Sequence, residues 1–69
     1  MEILAKRMRE LRKERKLSQA DTAKAIGVAW ISYQRYESGE RDPMAPSIAA
    51  FAEYFNVSAD YLLGLSNDR

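Results

Sequence analysis

The chain contains neither cysteine nor histidine. For a chain of 69 residues this is the tightest constraint on the fold. A domain so short buries only about 60 % of the surface its unfolded form exposes, and small domains commonly lean on a disulfide or a metal. Here no thiol pair, thiolate metal site, imidazole ligand or imidazole base can be assembled. The fold must therefore close on apolar burial alone, in one domain. Hydrophobic residues at 46 % and charged residues at 30 % describe a folded chain rather than a disordered one. Three glycines and two prolines are too few for the turns of an all-β chain. The expectation is an all-α fold. The lack of Cys suits a reducing compartment, and no apolar run approaches the roughly 18 residues that cross a bilayer. The opening stretch, Met1 to Arg7, becomes charged before the apolar core of a signal peptide can form.

Apolar stripes of helical period divide the chain into five short helices. Leu4, Met8 and Leu11 fall at i, i+4, i+7 and predict a helix over about residues 2–15. Ser18 reads as an N-cap, with Asp21 three positions on in a weak capping box. The helix it opens carries Ala20, Ala23 and Ile26 inward, and Gly27 suits the left-handed residue that stops it. A third helix over 30–37 turns Tyr33 and Tyr36 to the core and closes at Gly39. Residues 38–46 form the longest loop, and a fourth helix begins near Pro46, since proline is tolerated in a first turn. Ile48, Phe51, Ala52 and Phe55 give that helix the cleanest stripe in the chain. Asn56 stops it, Ser58 caps a fifth helix with Tyr61, Leu62 and Leu65 on its apolar side, and residues 66–69 are a tail.

The net charge of +1 hides an asymmetry. Residues 1–16 hold seven basic and three acidic groups, net +4; residues 17–69 hold four basic and seven acidic groups, net −3. A basic segment attracts nucleic acid or an anionic membrane. The plainer reading is a solvated helix face on which Glu10 and Glu14 pair with basic neighbours one turn away. Catalysis is not expected: the carboxylates scatter over helix surfaces, the serines lack a base, and there is no glycine-rich phosphate loop. No metal site or cofactor is expected either.

The strongest functional signal is one spacing. Between the second and third helices, Ala23 is small enough for two helices to cross closely and Gly27 permits a sharp turn. Val28 plugs the angle between the helices and Tyr33 fills the core beneath. Two helices joined by a short turn containing Gly form a helix-turn-helix, whose second helix fits a major groove about 12 Å wide. The alternative is a plain αα-corner inside a helical core.

In these residues the chain resembles the phage-repressor/Cro (XRE-like) helix-turn-helix family. The resemblance covers about residues 4–65. It is carried by Leu11-Arg12, Leu17-Ser18-Gln19, Ala23, Ile26-Gly27-Val28 and Arg35-Tyr36-Glu37-Ser38-Gly39, then by Arg41-Asp42-Pro43, Phe55-Asn56-Val57-Ser58 and Tyr61-Leu62-Leu63-Gly64. Each element is weak and the ordered set is strong. The resemblance implies a five-helix DNA-binding domain over residues 1–65, belonging to a cytoplasmic transcriptional regulator that works as a homodimer on double-stranded DNA. By that resemblance Trp30, Ile31, Ser32 and Arg35 face the bases, with Arg35 best suited to the two acceptors of a guanine edge. Ser18, Gln19, Gln34 and Arg41 fall at phosphate-contacting positions; Gln19 starts the second helix, where the helix dipole favours an anion. Arg12 and Glu37 match a structural salt bridge between the first and third helices. Tyr54, Asn56 and Leu65 are candidates for a dimer surface.

Several residues depart from the family pattern. Trp30 and Ile31 stand where polar or basic residues are usual, and Ala29 replaces a Ser or Thr cap, which weakens the helix start by about 1 kcal/mol. Thr22 replaces an apolar residue, Tyr33 a smaller aliphatic one, and Glu40 and Asp42 flank Arg41. An alternative function follows from the Trp30/Ile31 pair: an antitoxin-like or antirepressor-like module of the same fold, which binds a protein. A membrane-surface role for the first helix is weaker, because its apolar stripe is needed for the core.

Overall fold

Local chemistry sets where each helix of the computed structural model starts and stops. The structure describes residues 1–69, in the order α1 Glu2–Glu14, α2 Gln19–Ile26, α3 Trp30–Ser38, α4 Ala45–Phe55 and α5 Ala59–Leu63. Ser18 and Ser58 cap α2 and α5 by accepting from the amides of Asp21 (2.9 Å) and Tyr61 (3.0 Å). Helix α4 starts one residue ahead of Pro46, which sits in its first turn where its missing N–H costs nothing.

Four of the five helices end in the same way, with a left-handed residue and a paired backbone closure. In α2 the amide of Gly27 (φ 76°) donates to Lys24 O and that of Val28 to Ala23 O. Asn56 and Gly64 close α4 and α5 by the same pair of bonds, and Lys16 closes α1 although it is not glycine (φ 57°). Helix α3 differs. Gly39 donates to Tyr36 O, but the next amide, Glu40, turns to the Ser38 hydroxyl, and Arg41 takes the Arg35 carbonyl instead.

The core draws on every helix: Leu4, Met8 and Leu11 from α1, Ala23 and Ile26 from α2, Tyr33 and Tyr36 from α3, Phe51, Ala52 and Phe55 from α4, and Tyr61 and Leu62 from α5. Tyr33 and Phe51 are fully buried, with rings stacked 6.5 Å apart; Phe51 stacks on Phe55 at 4.3 Å. Burying such a side chain contributes roughly 1.5–3 kcal/mol, so these few rings supply much of what holds a domain without staples. Two side chains expected inside lie outside. The inward arc of α2 is Thr22, Ala23 and Ile26. Ala20 falls roughly 110° from its centre at 100° per residue and is exposed. Leu65 follows the left-handed reversal at Gly64 and is 76 % exposed. Thr22 is tolerated in the core because its hydroxyl donates to Ser18 O at 3.0 Å.

The basic first segment is a solvated face only in part: Lys6, Lys13 and Lys16 are exposed, and the expected one-turn ion pairs with Glu10 and Glu14 do not form. Its arginines reach the carboxyl ends of other helices. Arg9 donates to Glu37 O of α3 (3.1 Å), Arg15 to Tyr54 O and Phe55 O of α4 (both 3.1 Å), and Arg7 to Tyr61 O of α5. Arg7 also donates to Ser66 O (2.7 Å) and to Asn67 Oδ1 (2.8 Å), and it lies over the Tyr61 ring. Glu14 pairs with Arg69, not with a neighbour on α1, and Glu10 makes no ion pair. Magnitudes explain the choice. A one-turn ion pair on an exposed helix is worth about 0.2–0.5 kcal/mol. A charge-assisted bond to a carbonyl in the last turn of a helix, favoured by the helix dipole, is worth about 1.5–3 kcal/mol where it is partly buried.

Candidate nucleic-acid interface

Helices α2 and α3 pack against each other across the turn Gly27-Val28-Ala29. The buried side of α3 is Tyr33, Tyr36 and Glu37. At 100° per residue the opposite arc centres on Ile31 and Arg35, one turn apart, with Trp30 and Gln34 on one flank and Ser32 on the other. Trp30 is 57 % exposed and Ile31 53 %, and Arg35 is exposed; Ser32 and Gln34 are half-buried. A monomer that leaves a tryptophan and an isoleucine side by side in water carries an apolar patch that calls for an explanation. The N-cap Ala29 provides no side-chain bond, so the first amides of α3 have no capping side chain.

The phosphate-contact candidates divide. Ser18 Oγ accepts from the Asp21 amide to cap α2, which leaves its O–H free to donate. Gln19 is half-buried, and its Nε2 donates to Glu37 Oε1 at 3.1 Å, which leaves one amide hydrogen and the side-chain carbonyl uncommitted. Arg41 is exposed in the loop after α3.

Beneath this surface Arg12 grips Glu37 with two bonds, Nε to Oε2 at 2.6 Å and Nη2 to Oε1 at 3.0 Å, while its Nη1 reaches Leu17 O at 2.8 Å. The side chains are 13 % and 3 % exposed. The pair thus ties α1 to α3, and through Leu17 and Gln19 it also touches the start of α2. Burial pushes the Glu37 carboxyl up, but Arg12 first, then the nearby Tyr33 hydroxyl and the Gln19 amide, outweigh it and hold the group below the usual carboxylate range. The same bond to Glu37 raises the Arg12 guanidinium against its own desolvation. The Tyr33 hydroxyl lies near this cluster with no partner in hydrogen-bonding geometry. Burial first, and the neighbouring carboxylate second, push its ionisation far up.

Two contacts were not visible in the sequence. Gln19 to Glu37 spans 18 positions, and no periodicity signals it. Arg35 faces Glu40, its Nε 3.7 Å from Oε2, across the end of α3 where helical spacing no longer applies.

The comparisons with known proteins agree with this geometry. A helix-turn-helix family model matches residues 8–62. YobD, an HTH-type transcriptional regulator of Bacillus subtilis, is 40 % identical over 66 residues, which make up 96 % of this chain and 59 % of YobD. Repressor protein C2 of Salmonella phage P22 is 31 % identical over 62 residues, 90 % of this chain and 29 % of that protein. The chain spans about half the length, or less, of the curated relatives it matches. A crystal structure of the P22 c2 repressor in complex with a synthetic operator superimposes with a TM-score of 0.81 at 30 % identity, covering 86 % of this chain and 89 % of that one. On its sequence, its five helices and this superposition, the chain belongs to the helix-turn-helix family.

Proposed function

We propose that this chain is the DNA-binding unit of a transcriptional regulator, and that it places α3 in the major groove of double-stranded DNA. One observation carries the reading: α3 buries Tyr33, Tyr36 and Glu37 and turns Trp30, Ile31 and Arg35 to solvent. Arg35 offers a fork matched to guanine, and the two apolar side chains match thymine methyl groups and sugars. Ser32 lies on the flank of the same arc. Gln34, Arg41, Ser18 and the uncommitted half of the Gln19 amide serve the phosphates. That the superimposed P22 c2 repressor was crystallised with a synthetic operator supports DNA binding by this fold.

A single module covers only about 600–1,000 Å² of protein surface on DNA. The reading therefore includes a homodimer on a palindromic operator, with half-sites about one helical turn apart. Tyr54 (43 % exposed), Asn56 and Leu65 are candidates for its contact surface. The reading places the protein in the cytoplasm, where a regulator of this kind meets its DNA.

The test is selection of bound sequences from a random duplex library, with a salt titration beside it. Enrichment of a two-fold symmetric site, and affinity that falls steeply with salt, are expected. Arg35→Ala should cost about 1–3 kcal/mol and relax preference at one base pair, whereas Gln19→Ala should weaken all sequences alike. The exposed Trp30/Ile31 pair favours a second reading, a module of the same fold that docks on a protein. That reading predicts little salt-dependent DNA affinity and no enriched site.

A further inference from the structure

We propose that Glu40 is a positioning residue for Arg35: it holds the Nε edge of the guanidinium so that the two terminal nitrogens face outward as a fork. This deepens the reading of Arg35 as a base contact and rests on it. Three observations carry it. The carboxylate lies 3.7 Å from Nε, a charge contact longer than a hydrogen bond, and on the side away from the terminal nitrogens. The turn that presents Glu40 is built for that placement, because α3 alone abandons the closure used by the other four helices. There the Ser38 hydroxyl donates to Arg35 O at 3.1 Å and accepts from the Glu40 amide at 3.3 Å, while the Arg41 amide takes the same Arg35 carbonyl at 3.2 Å. The backbones of residues 35 and 40 are thereby fixed through one side chain. Finally, an acidic residue beside a groove-facing helix costs DNA affinity by repelling phosphate, so its presence next to the one exposed arginine of α3 calls for a compensating use.

The chemistry follows from how arginine reads guanine. Bidentate recognition of O6 and N7 uses two donors in one plane, and a guanidinium free to rotate about its long stem loses selectivity before it loses attraction. A carboxylate on the Nε side restricts that rotation and leaves the outer edge open. Both partners are exposed, 44 % and 68 %, so the restraint is modest. It should change discrimination roughly two- to fivefold, the range of an exposed ion pair.

The experiment compares wild type, Glu40→Gln, Glu40→Asp and Arg35→Ala by selection from a random duplex library, with affinities on selected and random duplexes. Asp keeps the charge but shortens the reach by one methylene, which separates positioning from long-range electrostatics. Both Glu40 variants are expected to lose roughly two- to fivefold in preference at the base pair that Arg35→Ala affects. Glu40→Gln, but not Glu40→Asp, should also bind every duplex more tightly. A wild-type profile in Glu40→Asp, with a uniform gain on all duplexes in Glu40→Gln, would overturn the proposal and leave Glu40 as a simple repulsive charge. A wild-type profile in Arg35→Ala would sink the base-contact reading beneath it, and is told apart by that variant alone.

Discussion

Tyr33 sits at the centre of the core with 0 % exposure, and its hydroxyl is the one buried side-chain polar atom without a hydrogen-bond partner. A hydroxyl without a well-aligned partner recovers only part of its desolvation cost of about 1–3 kcal/mol. Tyr33→Phe should therefore stabilise the fold, by about 1 kcal/mol once the lost polar contacts with the nearby Glu37 are set against it. For a domain of this size that is a rise in Tm of about 4–8 °C, measured by thermal unfolding. An unchanged or lower Tm would mean that the hydroxyl does bond Glu37 in solution. The sequence marked Tyr33 as large for its position, but not that its polar end would be stranded, because that depends on where α1 and α4 close over it.

Helix ends are the next scale, and here the weak point is α1. Lys16 occupies the left-handed position that Gly27, Gly39 and Gly64 fill elsewhere. A side chain in that conformation costs about 1–2 kcal/mol, partly offset by the freedom glycine loses on folding. Lys16 is exposed, so replacing it removes no packing. Lys16→Gly should raise stability by about 0.5–1 kcal/mol, read as a higher denaturant midpoint at unchanged m-value. The same logic explains how far the elements could be read from the chain. Gly27, Gly39 and Asn56 announced their stops because few residues tolerate positive φ. Lys16 gave no such sign, and the end of α1 had to be placed from the loss of the apolar stripe. Leu65 fails differently: its spacing continues the α5 stripe, but Gly64 just before it reverses the chain.

At the scale of the whole molecule, the α1–α3 tie and the arginine contacts of α1 substitute for a disulfide. Removing one charge of a buried pair leaves the other uncompensated, at about 3–5 kcal/mol. With Arg12 still 13 % exposed, the lower end applies. Glu37→Gln should thus cost about 3 kcal/mol at pH 7, measured by chemical denaturation. The pH dependence has a definite sign. The folded-state carboxyl titrates below its unfolded value of about 4.3. Its contribution is therefore complete above that value and is lost as the pH falls through the lowered folded value. Thermal unfolding between pH 7 and pH 3 should show a steeper acid limb for wild type than for Glu37→Gln. Parallel curves would assign acid sensitivity to other carboxylates, such as Glu14 against Arg69.

By itself the sequence determined the number of helices, most of their limits, the position of the helix-turn-helix and the two-sided character of α3. All of these follow from rules that act within a few residues: apolar period, capping hydroxyls and positive φ. The tertiary structure decided how the charges are used. Seven basic groups in the first sixteen residues looked like a surface resource, yet the arginines among them are spent on carbonyls and a carboxylate 25 to 60 positions away, or five in the case of Leu17. A long, flexible cation finds its partner by three-dimensional proximity and desolvation, and neither has a period along the chain.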